Sequence, residues 1–86
     1  NGIADDTFAP SVDNVLDFGD ATHRIKNFYA VRQYYTSTVF DAAGAGTPEG
    51  SVTAGIGSTY RRTDGGASTS FYVKESGTGN TGWIGK

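Results

Sequence analysis

The stretch that decides the fold is GSTYRRTDGGASTSFYVKESGTGNTGW, residues 57–83. It is rich in Gly, Ser and Thr, yet it also carries Tyr60, Phe71, Tyr72 and Trp83. A flexible linker has no need of large aromatic side chains, and a globular core does not usually hold so much glycine. The combination predicts short strands that carry the aromatic residues and glycine-rich turns that join them.

A three-stranded antiparallel meander is the expected arrangement of this half of the chain. Asp64-Gly65 lies between two β-rich runs, and Asp-Gly readily takes the positive φ angles that a tight hairpin turn requires. We therefore predict strands at residues 58–63 and 68–74 with this turn between them. The run ESGTGNTG, residues 75–82, then leads to a third strand at Trp83-Ile84. The register stays open, because a slip of one residue reverses every face.

The N-terminal half has a different pattern, with most of the aliphatic residues. Residues 15–18 form a short apolar run that predicts a strand. Apolar residues at helical spacing predict at most one short helical turn near residues 22–30. The run VRQYYTSTVF, residues 31–40, predicts a strand with two half-apolar faces. Such a strand is usually covered on both sides, and we expect a neighbouring protomer to supply the cover.

Size and composition limit the classes of protein. The 86 residues contain no Cys and one His, so neither disulfides nor a structural zinc site can reinforce a small core. Oligomerisation is the common alternative. A net charge of −2 with interspersed signs argues against a nucleic-acid partner, and no apolar run reaches the roughly 20 residues of a membrane span. A start at Asn1 without Met predicts a piece of a longer protein.

The chain is expected to have three parts. These are a trimeric stem or strand module at residues 1–40, a Gly/Ala/Pro connector at residues 41–50 (DAAGAGTPEG) and a glycine-rich β-meander end module at residues 51–86.

Two blocks carry a resemblance to a known family. DTFAPSVDNVLDFGDATHRIKNFYA, residues 6–30, resembles a segment near the C-terminus of tail fibres and tailspikes of tailed bacteriophages. The matching residues are Phe8, Pro10, Asp13, Asn14, Gly19, Arg24, Ile25, Tyr29 and Ala30. The family's usual Leu-Gly is here Phe18-Gly19, and its usual Trp or Phe after Arg is Ile25. PEGSVTAGIGSTYRRTDGGASTSFYVKESGTGNTGWIGK, residues 48–86, resembles a glycine-rich C-terminal module of phage structural proteins.

The resemblance implies an all-β fold intertwined in a homotrimer, placed in the phage virion and acting outside the host cell. It implies a non-catalytic structural and attachment module that drives trimerisation and takes part in host-surface recognition. The Ser-Asp-Glu-Arg start of the self-cleaving chaperone that often follows the first block is absent from the sequence. Two alternatives stay open: a tip that binds bacterial surface polysaccharide, and an accessory domain of a polysaccharide depolymerase whose active site lies upstream.

Aromatic and basic side chains are the candidate ligand contacts, because aromatic rings stack on sugars and polar groups bond to hydroxyls. The candidates are Tyr34, Tyr35, Tyr60, Arg61, Arg62, Tyr72, Asn80 and Trp83. The competing interpretation is that the aromatic residues pack between subunits, since the chain has few other large apolar residues. On a strand, Tyr34 and Tyr35 would point to opposite faces.

No catalytic, metal or cofactor site is predicted. His23 is the only His, and no Ser lies in a nucleophile motif. The acidic pair Asp5-Asp6 and the carboxylates Asp13, Asp17 and Asp20 suit turns better than glycoside hydrolysis. A Ca²⁺ site in residues 13–20 is an alternative without EF-hand spacing. The glycine runs lack the Lys of a phosphate-binding loop.

Overall fold

The computed structural model describes residues 9–86, which form an all-β fold. One mixed sheet contains five strands in the order of the chain. They are β1 (Arg32–Tyr34), β2 (Phe40–Gly44), β3 (Thr59–Arg62), β4 (Phe71–Lys74) and β5 (Trp83–Gly85). The β2–β3 pair is parallel and the other pairs are antiparallel. Asp5, Asp6 and Phe8, named above, lie outside the described residues.

The C-terminal meander is confirmed, because β3, β4 and β5 are consecutive antiparallel neighbours. Its register places Tyr60 opposite Tyr72 and Lys74 opposite Trp83. Side chains alternate along a strand, so all four residues share one face, which we call the covered face. The second face, which we call the open face, carries Gln33, Asp41, Ala43, Thr59, Arg61, Phe71, Val73 and Ile84.

The core lies on the covered face. Its buried apolar members are Phe40, Ala42, Ala54, Tyr60, Tyr72 and Trp83, with Val52 packed against them. The cover is residues 45–58, the connection that a parallel β2–β3 pair requires. Pro48 and Ala54 of this connection are buried. The predicted connector at residues 41–50 therefore includes most of strand β2 and part of the core's cover.

The predicted hairpin between β3 and β4 is present, but the tight turn at Asp64-Gly65 is wrong, because the longer loop of residues 63–70 joins the two strands. Asp64 accepts a hydrogen bond from the Gly46 backbone N (2.9 Å) and so ties this loop to the end of β2. Gly65 packs against the backbone of Thr69, where a Cβ atom would overlap the carbonyl oxygen. The positive φ in the loop belongs to Ser68 (62°).

The predicted strand at residues 31–40 is also wrong as a single element. It folds back on itself, and β1 pairs with β2 in an antiparallel hairpin. The turn is fixed by Thr36, whose Oγ1 accepts hydrogen bonds from the backbone N of Thr38 (3.2 Å) and Val39 (3.0 Å). A Thr hydroxyl competes with the sheet for backbone donors in this way, and the strand predicted from β propensity becomes a hairpin.

Residues 9–31 contain neither a helix nor a strand, so the predictions of a strand at residues 15–18 and a helical turn at residues 22–30 are wrong. Asp20 explains part of the difference. Its Oδ1 accepts hydrogen bonds from the backbone N of Thr22 (2.9 Å) and His23 (2.7 Å), which closes a local turn instead of a helix. Both bonds lower the pKa of Asp20, and the bond from Thr22 has the largest effect.

This extended segment, residues 9–31, is exposed at every position. Its large apolar residues are Val12, Val15, Leu16, Phe18, Ile25, Phe28, Tyr29 and Val31. The exposed fractions reach 89% at Tyr29 and 88% at Val31. The rings of Phe18 and Phe28 meet edge to face at 5.7 Å between centroids, but each remains about two-thirds exposed. Within residues 9–86 the chain itself provides no cover for this apolar surface.

Candidate functional site

The structure places three of the candidate ligand residues in the core. Tyr60, Tyr72 and Trp83 are 8%, 7% and 4% exposed, respectively. The rings of Tyr60 and Trp83 pack edge to face with centroids 6.1 Å apart. These three side chains pack within their own chain, which leaves little ring surface for stacking against either a sugar or a neighbouring subunit.

Trp83 is held on two sides by the β2–β3 connection. Its Nε1 donates to the Val52 carbonyl oxygen at 2.9 Å, and its backbone N donates to Glu49 Oε1 at 2.9 Å. Both N–H groups of this buried Trp, on the backbone and on the indole ring, are therefore hydrogen-bonded. The geometry assigns Trp83 to joining the last strand to residues 48–54.

Arg62 and Asn80, two further candidates, also bond within the chain. Arg62 Nε donates to Asp64 Oδ1 at 2.8 Å, and this bond is the main cause of its raised pKa. Asn80 Nδ2 donates to the Gly50 carbonyl oxygen at 3.1 Å, while the Asn80 carbonyl oxygen accepts from Gly50 N at 2.6 Å. Both side chains are used to fix loops.

Tyr34 and Tyr35 point to opposite faces, as predicted. The Tyr34 ring lies 5.1 Å from the Phe40 ring on the covered face, and its Oη accepts a hydrogen bond from Arg32 Nη1 at 3.2 Å. Tyr35 Oη donates instead to Asp41 Oδ2 at 2.8 Å on the open face. The two rings are 54% and 61% exposed, so each has free surface.

Asp41 is the centre of a polar cluster on the open face. Thr59 donates its hydroxyl to Asp41 Oδ1 in a short hydrogen bond, and Tyr35 donates to Oδ2. Donation to the charged form lowers the pKa of Asp41, with Thr59 as the main cause and Tyr35 next. In return, the bond to Asp41 raises the pKa of Tyr35. The cluster therefore holds an ionised carboxylate at neutral pH.

Arg61 lies on the same face, near this carboxylate. Its charge adds to the lowering of the Asp41 pKa, although the two make no ion pair. The guanidinium carbon instead sits 5.3 Å from the centre of the Phe71 ring, in cation–π geometry. Among residues 9–86, the side chain of Arg61 donates no hydrogen bond, so its guanidinium N–H groups are available.

An open pocket of about 200 Å³ is lined by Asp41 and Arg61 of these groups. Gln33 stands directly opposite Asp41 in the β1–β2 register, and Arg61 borders the same space. Phe28, Ala30 and Val31 of the extended segment form its apolar side. The pocket thus combines a carboxylate, an amide and a guanidinium with one apolar wall. This combination can bind a small polar ligand by hydrogen bonds.

Sequence reasoning found Tyr35 and Arg61 but missed Gln33, Asp41 and Thr59. Asp41 was interpreted as the first residue of a connector because Ala and Gly follow it. The available signal was the TST run at residues 36–38, whose hydroxyls suit a turn. With a turn there, Asp41 falls on a returning strand next to Gln33.

Comparison of the chain with protein-family models, with curated proteins and with solved structures finds no match. The resemblance to phage tail proteins therefore stays a prediction from the quoted motifs. No helix within residues 9–86 is long and apolar enough to cross a membrane. In the same part of the chain, no group of three or more His, Asp or Glu residues could hold a metal ion.

Proposed function

We propose that this chain is a non-catalytic structural and attachment module of a phage tail fibre or tailspike, which works as a homotrimer. The observation that carries the proposal is the extended segment, residues 9–31. Eight of the twelve exposed large hydrophobic residues within residues 9–86 lie in it. A concentration of exposed apolar side chains of this kind indicates an interaction site, and the quoted motifs supply the class of protein.

The amount of exposed surface supports assembly. The chain exposes 6553 Å², whereas a folded monomer of 9.0 kDa exposes about 4,900 Å². Its radius of gyration is 15.6 Å, against about 12 Å for a compact chain of this length. Residues 9–31, which are exposed at every position, supply apolar surface that a compact monomer would bury.

The size of the excess fits two neighbours per chain. It is about 1,700 Å², and a specific interface buries about 800 Å² on each partner. Each subunit of a cyclic trimer makes two such contacts, one on either side. A trimer also agrees with the quaternary structure that the resemblance implies.

Sedimentation equilibrium at micromolar concentrations tests the proposal directly. We expect a mass close to three chains at these concentrations and dissociation on dilution, because stability that depends on shared burial depends on protomer concentration. A monomer at the same concentrations, with the fluorescence expected of a buried Trp83, would overturn the proposal.

Single-cysteine variants test the arrangement, since the natural chain has no Cys. Like residues of a trimer meet only close to its threefold axis. We expect the apolar segment to lie along that axis, so Val15→Cys should give disulfide-linked dimers on oxidation. Two of three thiols can pair when their Cα atoms lie within about 7 Å. Thr63→Cys, in the loop between β3 and β4, is the control and should remain unlinked.

A second candidate function is recognition of bacterial surface polysaccharide. It is favoured by Tyr35 and Arg61, which remain on the open face after burial has removed Tyr60, Tyr72 and Trp83 from contact with solvent. Calorimetric titration with polysaccharide tests this function independently of the mass measurement. Absence of heat from every polysaccharide tried would leave assembly as the function.

A further inference from the structure

We propose that the pocket beside Asp41 binds one neutral hexose-type unit of a saccharide, and this deepens the second candidate function, on which it rests. In this arrangement Asp41 accepts hydrogen bonds from sugar hydroxyls, while Arg61 and Gln33 donate to sugar oxygens. One chain supplies all three side chains.

Asp41 is oriented before any ligand arrives. Its two oxygens are fixed by Thr59 on the neighbouring strand and by Tyr35 from the β1–β2 turn. Each carboxylate oxygen can accept more than one hydrogen bond, so acceptor capacity remains on the side of the pocket. A carboxylate held in place in this way binds hydroxyls at a lower entropic cost than a freely rotating one.

The donors lie on both flanks of Asp41. On β1, Gln33 pairs directly with Asp41. On β3, Asp41 pairs with Thr59, and Arg61 lies two residues beyond Thr59. Neither side chain makes a hydrogen bond within residues 9–86. Donors on either side of an acceptor match the neighbouring hydroxyls of a sugar ring, each of which both donates and accepts.

The charge of the pocket selects a neutral ligand. Asp41 and Arg61 carry opposite charges. Arg32 also lines the pocket, but its guanidinium lies on the covered face, 4.6 Å from the centre of the Phe40 ring. An acidic sugar would meet the fixed Asp41 carboxylate and a basic ligand would meet Arg61. A neutral polyol satisfies both groups without an unpaired charge.

The size and shape of the pocket fit one ring of a longer chain. Its 200 Å³ is below the roughly 300 Å³ at which pockets for whole small-molecule ligands begin. The open side leaves room for the glycosidic neighbours to continue into solvent. Phe28, near the end of the extended segment, provides an apolar wall. Assembly through the earlier part of that segment, around Val15 and Leu16, leaves the Phe28 ring, which is 67% exposed, accessible to the apolar face of a sugar.

Saturation-transfer NMR and calorimetry on the assembled protein test the proposal, with the methyl glycosides of glucose, galactose, mannose and rhamnose as probes and methyl glucuronide as the acidic comparison. We expect binding of at least one neutral glycoside and weaker binding of the glucuronide. Gln33→Ala and Arg61→Gln should each weaken that binding about tenfold, the loss expected for a hydrogen bond to a ligand that is no longer made.

Matched controls separate the site from the fold and from charge. Lys26→Gln removes one exposed positive charge outside this pocket and should leave the affinity unchanged. Asp41→Asn is the third pocket variant and should weaken binding, whereas its control, Asp17→Asn, should leave the affinity unchanged. If a neutral glycoside binds equally to the wild type and to all three pocket variants, the site is wrong although saccharide recognition stands. If no probe binds, this proposal fails, while the polysaccharide titration still decides the second candidate function and the sedimentation result still decides assembly.

Discussion

Lys74 is the residue with the most unusual surroundings in the sheet. Its side chain is fully buried, and its Nζ donates to the carbonyl oxygens of Ser76 (2.6 Å) and Gly77 (2.9 Å). A buried Lys is rare unless its polar atoms are paired. Here the pairing groups are backbone carbonyls of the β4–β5 turn, so Lys74 fixes that turn from inside.

Replacing Lys74 by Met is expected to lower the free energy of unfolding by about 2 kcal/mol, because two carbonyl oxygens lose their donor in a buried site. Urea denaturation followed by Trp83 fluorescence measures the change. Lys26→Met, at an exposed position, serves as the control and should leave the midpoint close to wild type. Equal stability of the two variants would show that water replaces the lost donor.

Asp41 should make stability depend on pH. Its pKa is lower in the folded chain than the ordinary value of 3.8, because of the bonds from Thr59 and Tyr35. The contribution is therefore complete above that value and is lost as the pH falls through the folded pKa. We expect wild type to lose more stability than Asp41→Asn between about pH 5 and pH 2.

Thermal unfolding at a series of pH values measures this difference. Asp20 and Asp64 also have lowered pKa values, but both remain in the variant, so the difference between the curves isolates Asp41. Asp17→Asn, which removes a carboxylate from the extended segment, is the control. Parallel curves for wild type and Asp41→Asn would contradict the role of the Thr59 and Tyr35 bonds.

Among the elements, the β4–β5 turn depends most strongly on the glycine at position 82. Gly82 has a φ of +97°, and a Cβ atom there would overlap the Ser76 carbonyl. Gly79, in the same turn, has open space around its Cα. We expect Gly82→Ala to destabilise the chain by about 1–3 kcal/mol and Gly79→Ala to be close to neutral, measured by urea denaturation. Similar losses in both variants would mean that the turn rearranges freely.

The elements that the sequence predicted well are those with local signals. The strands at Tyr60, Tyr72 and Trp83 follow from aromatic residues separated by glycine runs, and their antiparallel order follows from the short connections. The parallel β2–β3 pair could not be predicted, because it depends on packing of residues 45–58 over the core. Composition predicts a connector over residues 41–50, yet Pro48 within that range is buried, as is Ala54 shortly after it.

The candidate site was predicted only in part for a related reason. Tyr35 and Arg61 were named from their chemistry, but 26 positions of chain separate them. Only strand pairing brings them to the two sides of Asp41. The same pairing turns Tyr60, Tyr72 and Trp83 inward. The face on which a side chain lies depends on the register, and no local pattern in the sequence determines the register.

At the scale of the whole molecule, the extended segment and the sheet should respond separately to mutation. Leu16→Asp places a charge in the apolar surface that assembly would bury, at a cost of several kcal/mol. We expect the oligomer to dissociate at concentrations at least about tenfold higher than wild type, as measured by sedimentation. The fluorescence of Trp83 should be unchanged, because residue 16 lies outside the sheet.

Ala21→Asp provides the control for that variant. It adds the same charge to the same segment, but at a small side chain in the Asp20 turn. Wild-type association of this control, together with dissociation of Leu16→Asp, would assign the effect to the apolar surface. Weakened association in both would point to net charge instead, and unchanged association in both would contradict the proposed interface.

The order of the strands has a consequence for folding kinetics. Every strand pairs with its neighbour in the chain, and the longest loop to close is that of residues 45–58. Local contacts of this kind favour rapid folding. The sheet can therefore form in a first-order step within each chain, before residues 9–31 find a partner. Refolding should then show two phases, an early one in Trp83 fluorescence that is independent of concentration and a later one that accelerates as chains become more concentrated.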